Sequence, residues 1–267
     1  MDYHTKAIIL KTQKLSDSDK ILSLYSPEHG LIKAVAKSAY KINSGFGAKS
    51  EVLNLGNFLL AKGRNLDIIR EIKIENTFRN IRSDYLCLSF AFFMVDLLEN
   101  IAIKDENYQQ PFTLLKSSLE AMDKEIISLD SDKDHTTFTH ALNFNWKLIE
   151  FLGYKPELNY CSLTQRQRHL SQIPEYFDFE NGSITSKEAY GDYTTENPYD
   201  NHIRAINKST FKILDLMDQN LDLNSSPEPF TNDALASAIK LLHKHLEYRV
   251  HKEFKSWRVL EPALSII

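Results

Sequence analysis

Only two cysteines, Cys87 and Cys161, occur in 267 residues. So few, in unlike settings, do not suggest a disulfide framework, and a reducing compartment is expected. Glycine and proline are sparse at 8 each, against 42% hydrophobic and 25% charged residues. That composition excludes collagenous, low-complexity and wholly disordered chains. Long apolar runs are missing too. The most apolar stretch, Leu86–Val95, is stopped by Asp96, about half of the ~20 residues needed to cross a bilayer. It reads as a buried helix, and no membrane partner is expected. Met1–Lys11 has no apolar core behind a basic end, so no signal peptide is expected and the location reads as cytoplasmic. A Gly-rich phosphate loop, a nucleophile elbow and an HExxH motif are also absent. Those absences do not exclude catalysis, but they single out no residue for a reaction, so no catalytic residue, cofactor or small-molecule substrate is expected.

What is present is an uneven charge distribution. The chain carries −4 overall, yet residues 1–82 hold 14 basic against 8 acidic side chains. Residues 83–239 hold 12 against 25, and residues 240–267 hold 6 against 3. A basic module in an acidic chain is the electrostatic footprint of a protein that meets a polyanion.

The first 75 residues read as strands. Lys6–Thr12 is β-branched; Lys20–Tyr25 follows the polar turn Ser16-Asp17-Ser18-Asp19; Leu31–Lys37 follows Pro27-Glu28-His29-Gly30, whose glycine can take a positive φ. Val52–Ala61 and Leu66–Ile74 are joined by the hairpin-like Lys62-Gly63-Arg64-Asn65. A period of two puts Leu66, Ile68, Ile72 and Ile74 on one face of the last strand, with Asp67, Glu71 and Lys73 opposite. Five short strands suggest a small closed barrel of the OB type, with Ser38–Glu51 as its inserted link.

Beyond Phe78 the apolar spacing becomes helical. Helices are expected over Tyr85–Ile103, Pro111–Leu129, Thr136–Leu152 (ending at Gly153), His202–Leu221 and Thr231–Trp257. The last carries the stripe Leu235, Ile239, Leu242, Leu246, Val250, Phe254 and Trp257, with Pro262 beyond it. Residues 154–200 fit neither period and read as an irregular insertion with one hairpin around Tyr176–Ile184. The fold class is therefore α+β and multidomain: a barrel over 1–80, a helical domain over 81–153 and 201–267, and the insertion at 154–200.

Lys33 and Lys37 share a strand face with Leu31 and Val35. Tyr40, Lys41, Phe46 and Lys49 follow, and Lys62, Arg64 and Arg70 lie on the last hairpin. Lysine and arginine neutralise phosphates, and exposed rings stack bases. These nine residues form the expected single-stranded-DNA face. Asp17-x-Asp19 and Asp130-Ser131-Asp132-Lys133-Asp134 resemble pieces of calcium loops but lack the glycine and distal glutamate, and read as solvated turns. His243, Glu247 and His251 have ligand spacing but sit beside Lys244, Arg249 and Lys252. They read as a wet basic helix face, and no metal is expected.

Several segments together resemble the bacterial RecO family of DNA repair proteins. They are Ala7–Thr12 with Ser16–Leu22, Glu28–Lys37, Leu59–Asp67, Gly153-Tyr154-Lys155-Pro156-Glu157-Leu158-Asn159-Tyr160-Cys161, and Leu246–Leu260. The resemblance covers nearly the whole chain. It implies an OB-fold followed by a helical domain. It also implies a recombination mediator without enzymatic activity, which binds and anneals single strands, contacts the single-strand-binding protein SSB, and works with RecR to load RecA. The location implied is the cytoplasm, at the nucleoid. Many members carry a four-cysteine zinc module. Here only Cys161 matches, Thr164 stands where a second cysteine would be, and Gly182–Ala189 has none. The insertion is then expected to be held by apolar packing of Tyr176, Phe177 and Phe179. The family's SSB-tail site points to the helix before Gly153, with Trp146, Lys147, Ile149 and Phe151 as nearest candidates and plain core as the other reading of Trp146. Two rivals remain: an OB-fold interaction scaffold that binds no DNA, and a metal-dependent nuclease using Asp17, Asp19 or the His243 face.

Overall fold

A computed structural model describes residues 1–42, 44–101, 108–125, 133–169, 173–197, 201–223, 226 and 229–264. Two compact units emerge. The first is Met1–Lys133 with Phe254–Ser265, and the second is built from Asp134–Glu253.

In the first unit five strands run β1 (Asp2–Lys14), β2 (Lys20–Ser26), β3 (Gly30–Ala36), β4 (Leu55–Ala61) and β5 (Asp67–Asn76). They close in the order β1-β2-β3-β5-β4, with β1 antiparallel to both β2 and β4. The seam is a short parallel pairing of β3 with β5 at Ala34–Asp67 and Val35–Ile68. Alternate residues Ala7, Ile9, Leu22, Leu24, Ile32, Ala34, Phe58, Leu60 and Ile72 fill the interior, as the strand period requires.

On β1 and β2 the alternation vanishes. Ile8, Leu10 and Tyr25 are buried as well, because α2 (Tyr85–Asn100) packs outside β1 and α3 (Gln109–Glu125) outside β2. A strand covered on both faces reads as a continuous apolar run. Asp84 caps α2, its carboxylate accepting from the Cys87 N–H. A short helix, α1 (Arg79–Arg82), links β5 to α2.

The expected face assignment on β5 is corrected. Leu60 pairs with Ile69 and Leu59 with Glu71, so Arg70 is an extra residue in a bulge. A bulge shifts the facing by one. Before it Asp67 and Ile69 point inward, Ile68 being only half-buried; after it Ile72 does.

The second unit contains most of α4 (Lys133–Phe151), then β6 (Glu157–Cys161), β7 (Tyr176–Asp178), β8 (Ser183–Thr185), α5 (Lys187–Glu196), β9 (Ile203–Ala205), α6 (Lys208–Asp218) and α7 (Asn232–Val250). The expected hairpin is present as β7–β8, but β6 and β9 extend it to a sheet ordered β6-β8-β7-β9. Aromatic packing holds it: Phe177 and Phe179 are buried, and Tyr176 stacks on Tyr190 at 4.1 Å. Gly153, at φ 76°, ends α4 as expected.

Two helix boundaries are corrected. The segment His202–Leu221 begins as β9, because Ile203 pairs with Asp178, and Asn207 caps the helix that follows. The Thr231–Trp257 stripe is broken at His251, which takes a left-handed conformation at φ 51°. Phe254 and Trp257 therefore belong to the first unit, where α8 (Trp257–Ala263) contains Pro262 and the Trp257 ring lies 5.5 Å from Phe93. There the Ser256 N–H and hydroxyl donate to Asp96 at 3.1 and 2.6 Å. The expected stretches 102–103, 126–129 and Asp130–Asp132 lie outside the described residues.

Phe58 is fully buried at the centre of the barrel. Phe58→Ala is expected to cost about 3–5 kcal/mol, the range for emptying an aromatic site. Urea unfolding measures it, and a loss under about 1 kcal/mol would show that the barrel interior is not close-packed.

Candidate nucleic-acid interface

Three of the nine expected DNA-face residues come together at one cavity of about 580 Å³ on the first unit: Lys33 on β3, and Lys62 and Arg64 in the β4–β5 turn. Aromatic rings that sequence reasoning missed line the same cavity. Tyr3 comes from β1, His29 from the β2–β3 turn and Tyr108 from just before α3. The Tyr3 and His29 rings meet edge to face at 5.0 Å, and Lys62 Nζ lies 5.8 Å from the Tyr3 ring.

Backbone geometry makes room for this arrangement. Gly30 has φ 62°, and a Cβ there would fall 2.6 Å from the Tyr108 ring. Only glycine lets Tyr108 lie against the β2–β3 turn. His29 had a signal in the marked turn Pro27–Gly30. Tyr108 had none, since it lies 78 residues from Gly30 and only tertiary packing places its ring against that turn.

Two carboxylates line the cavity, and both are engaged. Asp67 accepts from the Tyr3 hydroxyl at 2.5 Å and from the Gly63 N–H at 2.9 Å. Burial, then the bond and charge of Asp67, push the Tyr3 phenol well above its ordinary pKa, so it stays a donor. Glu28 accepts from Thr5 at 2.7 Å and Ser26 at 2.9 Å. Burial pushes Glu28 upward, but these bonds outweigh it and hold the group below its usual value. Lys33, Lys62 and Arg64 remain as exposed cations beside aromatic rings, a combination that suits a phosphate chain with stackable bases.

The other six candidates lie elsewhere on this unit. Lys37 and Lys41 are exposed just past β3. Tyr40 between them is 48% exposed, with Lys20 Nζ 4.9 Å from its ring. Lys49 is exposed in the turn Ala48–Ser50, and Arg70 is exposed at the β5 bulge. Phe46 is half-buried and, like Tyr3, packs against the barrel core, but unlike Tyr3 it does not line this cavity. The acidic turn is structural, since Asp17 pairs with Lys14 at 2.7 Å and Asp19 accepts from the Ser38 N–H at 2.7 Å.

Residues 1–78 match the family model for the recombination protein O N terminal region, and residues 82–258 match that for its C terminal region. The chain belongs to the recombination protein O family. Proteins named DNA repair protein RecO resemble it along much of its length. That of Dehalococcoides mccartyi is 31% identical over 185 residues, 68% of each chain. That of Synechococcus elongatus is 27% identical over 164 residues, 61% of this chain and 59% of its own. That of Alkaliphilus metalliredigens is 31% identical over 157 residues, 59% of this chain and 61% of its own. The matched stretches thus span about three-fifths to two-thirds of these relatives. Family membership places the chain among proteins of DNA repair and recombination, and its N-terminal RecO domain is an OB-fold.

In the second unit the four RecO-derived partner candidates do not form one surface. Trp146 is 4% exposed and Ile149 1%. They are core residues, because α4 turns that face inward. Lys147 is exposed and Phe151 half-buried. Cys161 has its Sγ 3.1 Å from Thr185 Oγ1. Burial pushes its thiol up, but the Thr164 and Thr185 hydroxyls and nearby backbone N–H groups outweigh it and bring the pKa down to about 7.

The expected wet face on α7 is also corrected. His243 is 3% exposed, and its Nε2 lies 3.2 Å from Glu247. His245 is fully buried and donates to the Tyr154 carbonyl at 2.7 Å. Of His243, Glu247 and His251, the last, at the helix end, is the exposed one. Among the described residues no cluster of three or more potential metal ligands forms.

Two expectations follow. Alkylation of Cys161 by iodoacetamide should rise through a midpoint near pH 7, and Thr185→Val should move that midpoint upward. A parent midpoint at the ordinary thiol value of 9.0 would refute the hydroxyl account. Burial lowers His243 to about 3 and His245 to about 4, against about 6.5 in an unfolded chain. Stability from these neutral rings is complete above pH 6.5 and is lost as pH falls toward 4. The slope is at most about 1.4 kcal/mol per pH unit for each histidine. Urea unfolding between pH 7.5 and 4.5 should show this dependence, and it should be shallower in His243→Leu. Equal slopes in both proteins would contradict it.

Proposed function

We propose that this chain is a recombination mediator that acts by holding strands and proteins together, without a catalytic step. Its barrel, residues 1–80, binds single-stranded DNA with little sequence preference and brings complementary strands together. The observation that carries this reading is the cavity joining Lys33, Lys62 and Arg64 to the Tyr3, His29 and Tyr108 rings. Cations set affinity through phosphates, and rings accept any base. Lys37, Tyr40, Lys41, Lys49 and Arg70 extend the strand path along the same unit.

The family to which the chain belongs supports the wider role. The chain helps RecA load onto SSB-coated strands together with RecR, at the nucleoid in the cytoplasm. With Trp146 and Ile149 buried, contact with the SSB tail on α4 falls to Lys147 and Phe151. The net charge of −4 favours a second reading, an interaction scaffold that binds no DNA.

Fluorescence anisotropy of a labelled oligothymidylate separates the two. Saturable binding that weakens with salt is expected, without cleavage of the oligomer. Lys33→Glu with Arg64→Glu should lower the log–log salt slope by about 1.4, at ~0.7 per single-strand phosphate contact. Tyr108→Ala should cost about 1–3 kcal/mol if the ring stacks a base. Absence of binding at low salt would leave the scaffold reading.

A further inference from the structure

A second cavity, of about 290 Å³, lies in the other unit between β9, α6 and α7. Arg204, Lys240 and Lys244 line it, and no carboxylate does among the described residues. Lys240 and Lys244 are one turn apart on α7, a rise of about 6 Å. Lys244 lies 4.9 Å from the Phe179 ring. The carboxylate that attracts Lys244, Glu247, is itself 3.2 Å from His243.

Two further observations point to an anion. The N-terminus of α6, an 11-residue helix, opens at this cavity through Asn207 and Thr210. Its first turn has no acidic residue, and begins with Lys208, although acids are the usual complement to a helix N-terminus. Thr210 is 2% exposed, and its hydroxyl has no hydrogen-bond partner among the described residues. A buried hydroxyl without a partner is unfavourable, so a ligand that engages it recovers that loss.

We propose that this cavity is a second phosphate-binding site, which takes the backbone of a nucleic-acid strand independently of the barrel. A buried hydroxyl and three cations come to the cavity from β9, α6 and α7, beside the end of α6 that Asn207 caps. That suits the tetrahedral oxygens of phosphate better than a planar carboxylate. Ile206 and Leu241 give the adjoining sugar an apolar wall. The ligand class is shared with the barrel reading, but the site does not depend on it. A chain with one strand site in each unit holds two strands at once, which pairing them requires.

Lysine acetylation footprinting of the full chain tests this, with oligothymidylate at low salt and mass-spectrometric readout. Lys240 and Lys244 should be protected several-fold, both in the parent and in the Lys33→Glu/Arg64→Glu protein. Thr210→Val should leave thermal stability unchanged or higher while weakening binding to the barrel-variant protein. Lys240→Gln with Lys244→Gln should lower the salt slope by about 1.4. Protection of Lys33 and Lys62 with none at Lys240 and Lys244 would overturn this site and leave the barrel reading standing. Protection nowhere would overturn both. Protection of Lys240 and Lys244 by polyglutamate but not by the oligomer would make the cavity a peptide dock and end the proposal.

Discussion

Strand β1 is hydrogen-bonded along both edges and buried on both faces over Ala7–Leu10. Its pairing with β2 on one side and β4 on the other closes the ring, so its backbone groups are satisfied without an exposed edge. Closure brings the β2–β3 turn and the β4–β5 turn to the same cavity, where Lys33 and Arg64 sit together although 31 positions separate them in the chain. Burial of the outer face of β1 and β2 requires α2 and α3, and the approach to α3 carries Tyr108 to Gly30. The cavity follows from how the barrel is sealed.

The two units satisfy their polar groups differently. In the barrel the strand ladders do most of this. In the second unit side chains reach across to backbone: Arg249 donates to the Glu180 and Asn181 carbonyls at 2.9 and 2.6 Å, tying α7 to the β7–β8 hairpin. His245 does the same toward Tyr154. Arg168 pairs with Asp215 at 2.8 Å. These links, with the Tyr176–Tyr190 stack, hold the region around Cys161. His243 and His245 are part of that packing, and among the described residues the ligand-like spacing on α7 gives no grouping of three potential metal ligands.

Much of the barrel was legible because a strand with one wet face has a strong period of two. On the face that rule gave to Leu31, Lys33, Val35 and Lys37, Leu31 and Lys33 are exposed and Val35 is half-buried, while Lys37 is exposed past the end of β3. The rule failed on β5 at Arg70, since a bulge is set by the pairing partner and leaves no mark in the strand's own pattern. It also could not register helices on the outside of β2. On the helical side, apolar spacing located α4 and α7 but ran on past His251, because Phe254 and Trp257 continue the stripe while packing in the other unit. Trp146 shows the limit for site residues, since a ring that would suit a partner surface suits a core equally well.

The sequence by itself determined the order of barrel, helices and insertion, the basic ends around an acidic middle, and the lack of a catalytic motif. These rest on local period and composition, which need no partner elsewhere in the chain. Only the tertiary structure decided which cations converge, which rings join them and which polar groups are buried. Those depend on contacts between residues far apart in the chain, such as Tyr3 with Asp67 or Tyr108 with Gly30, and no local pattern encodes a neighbour at that distance.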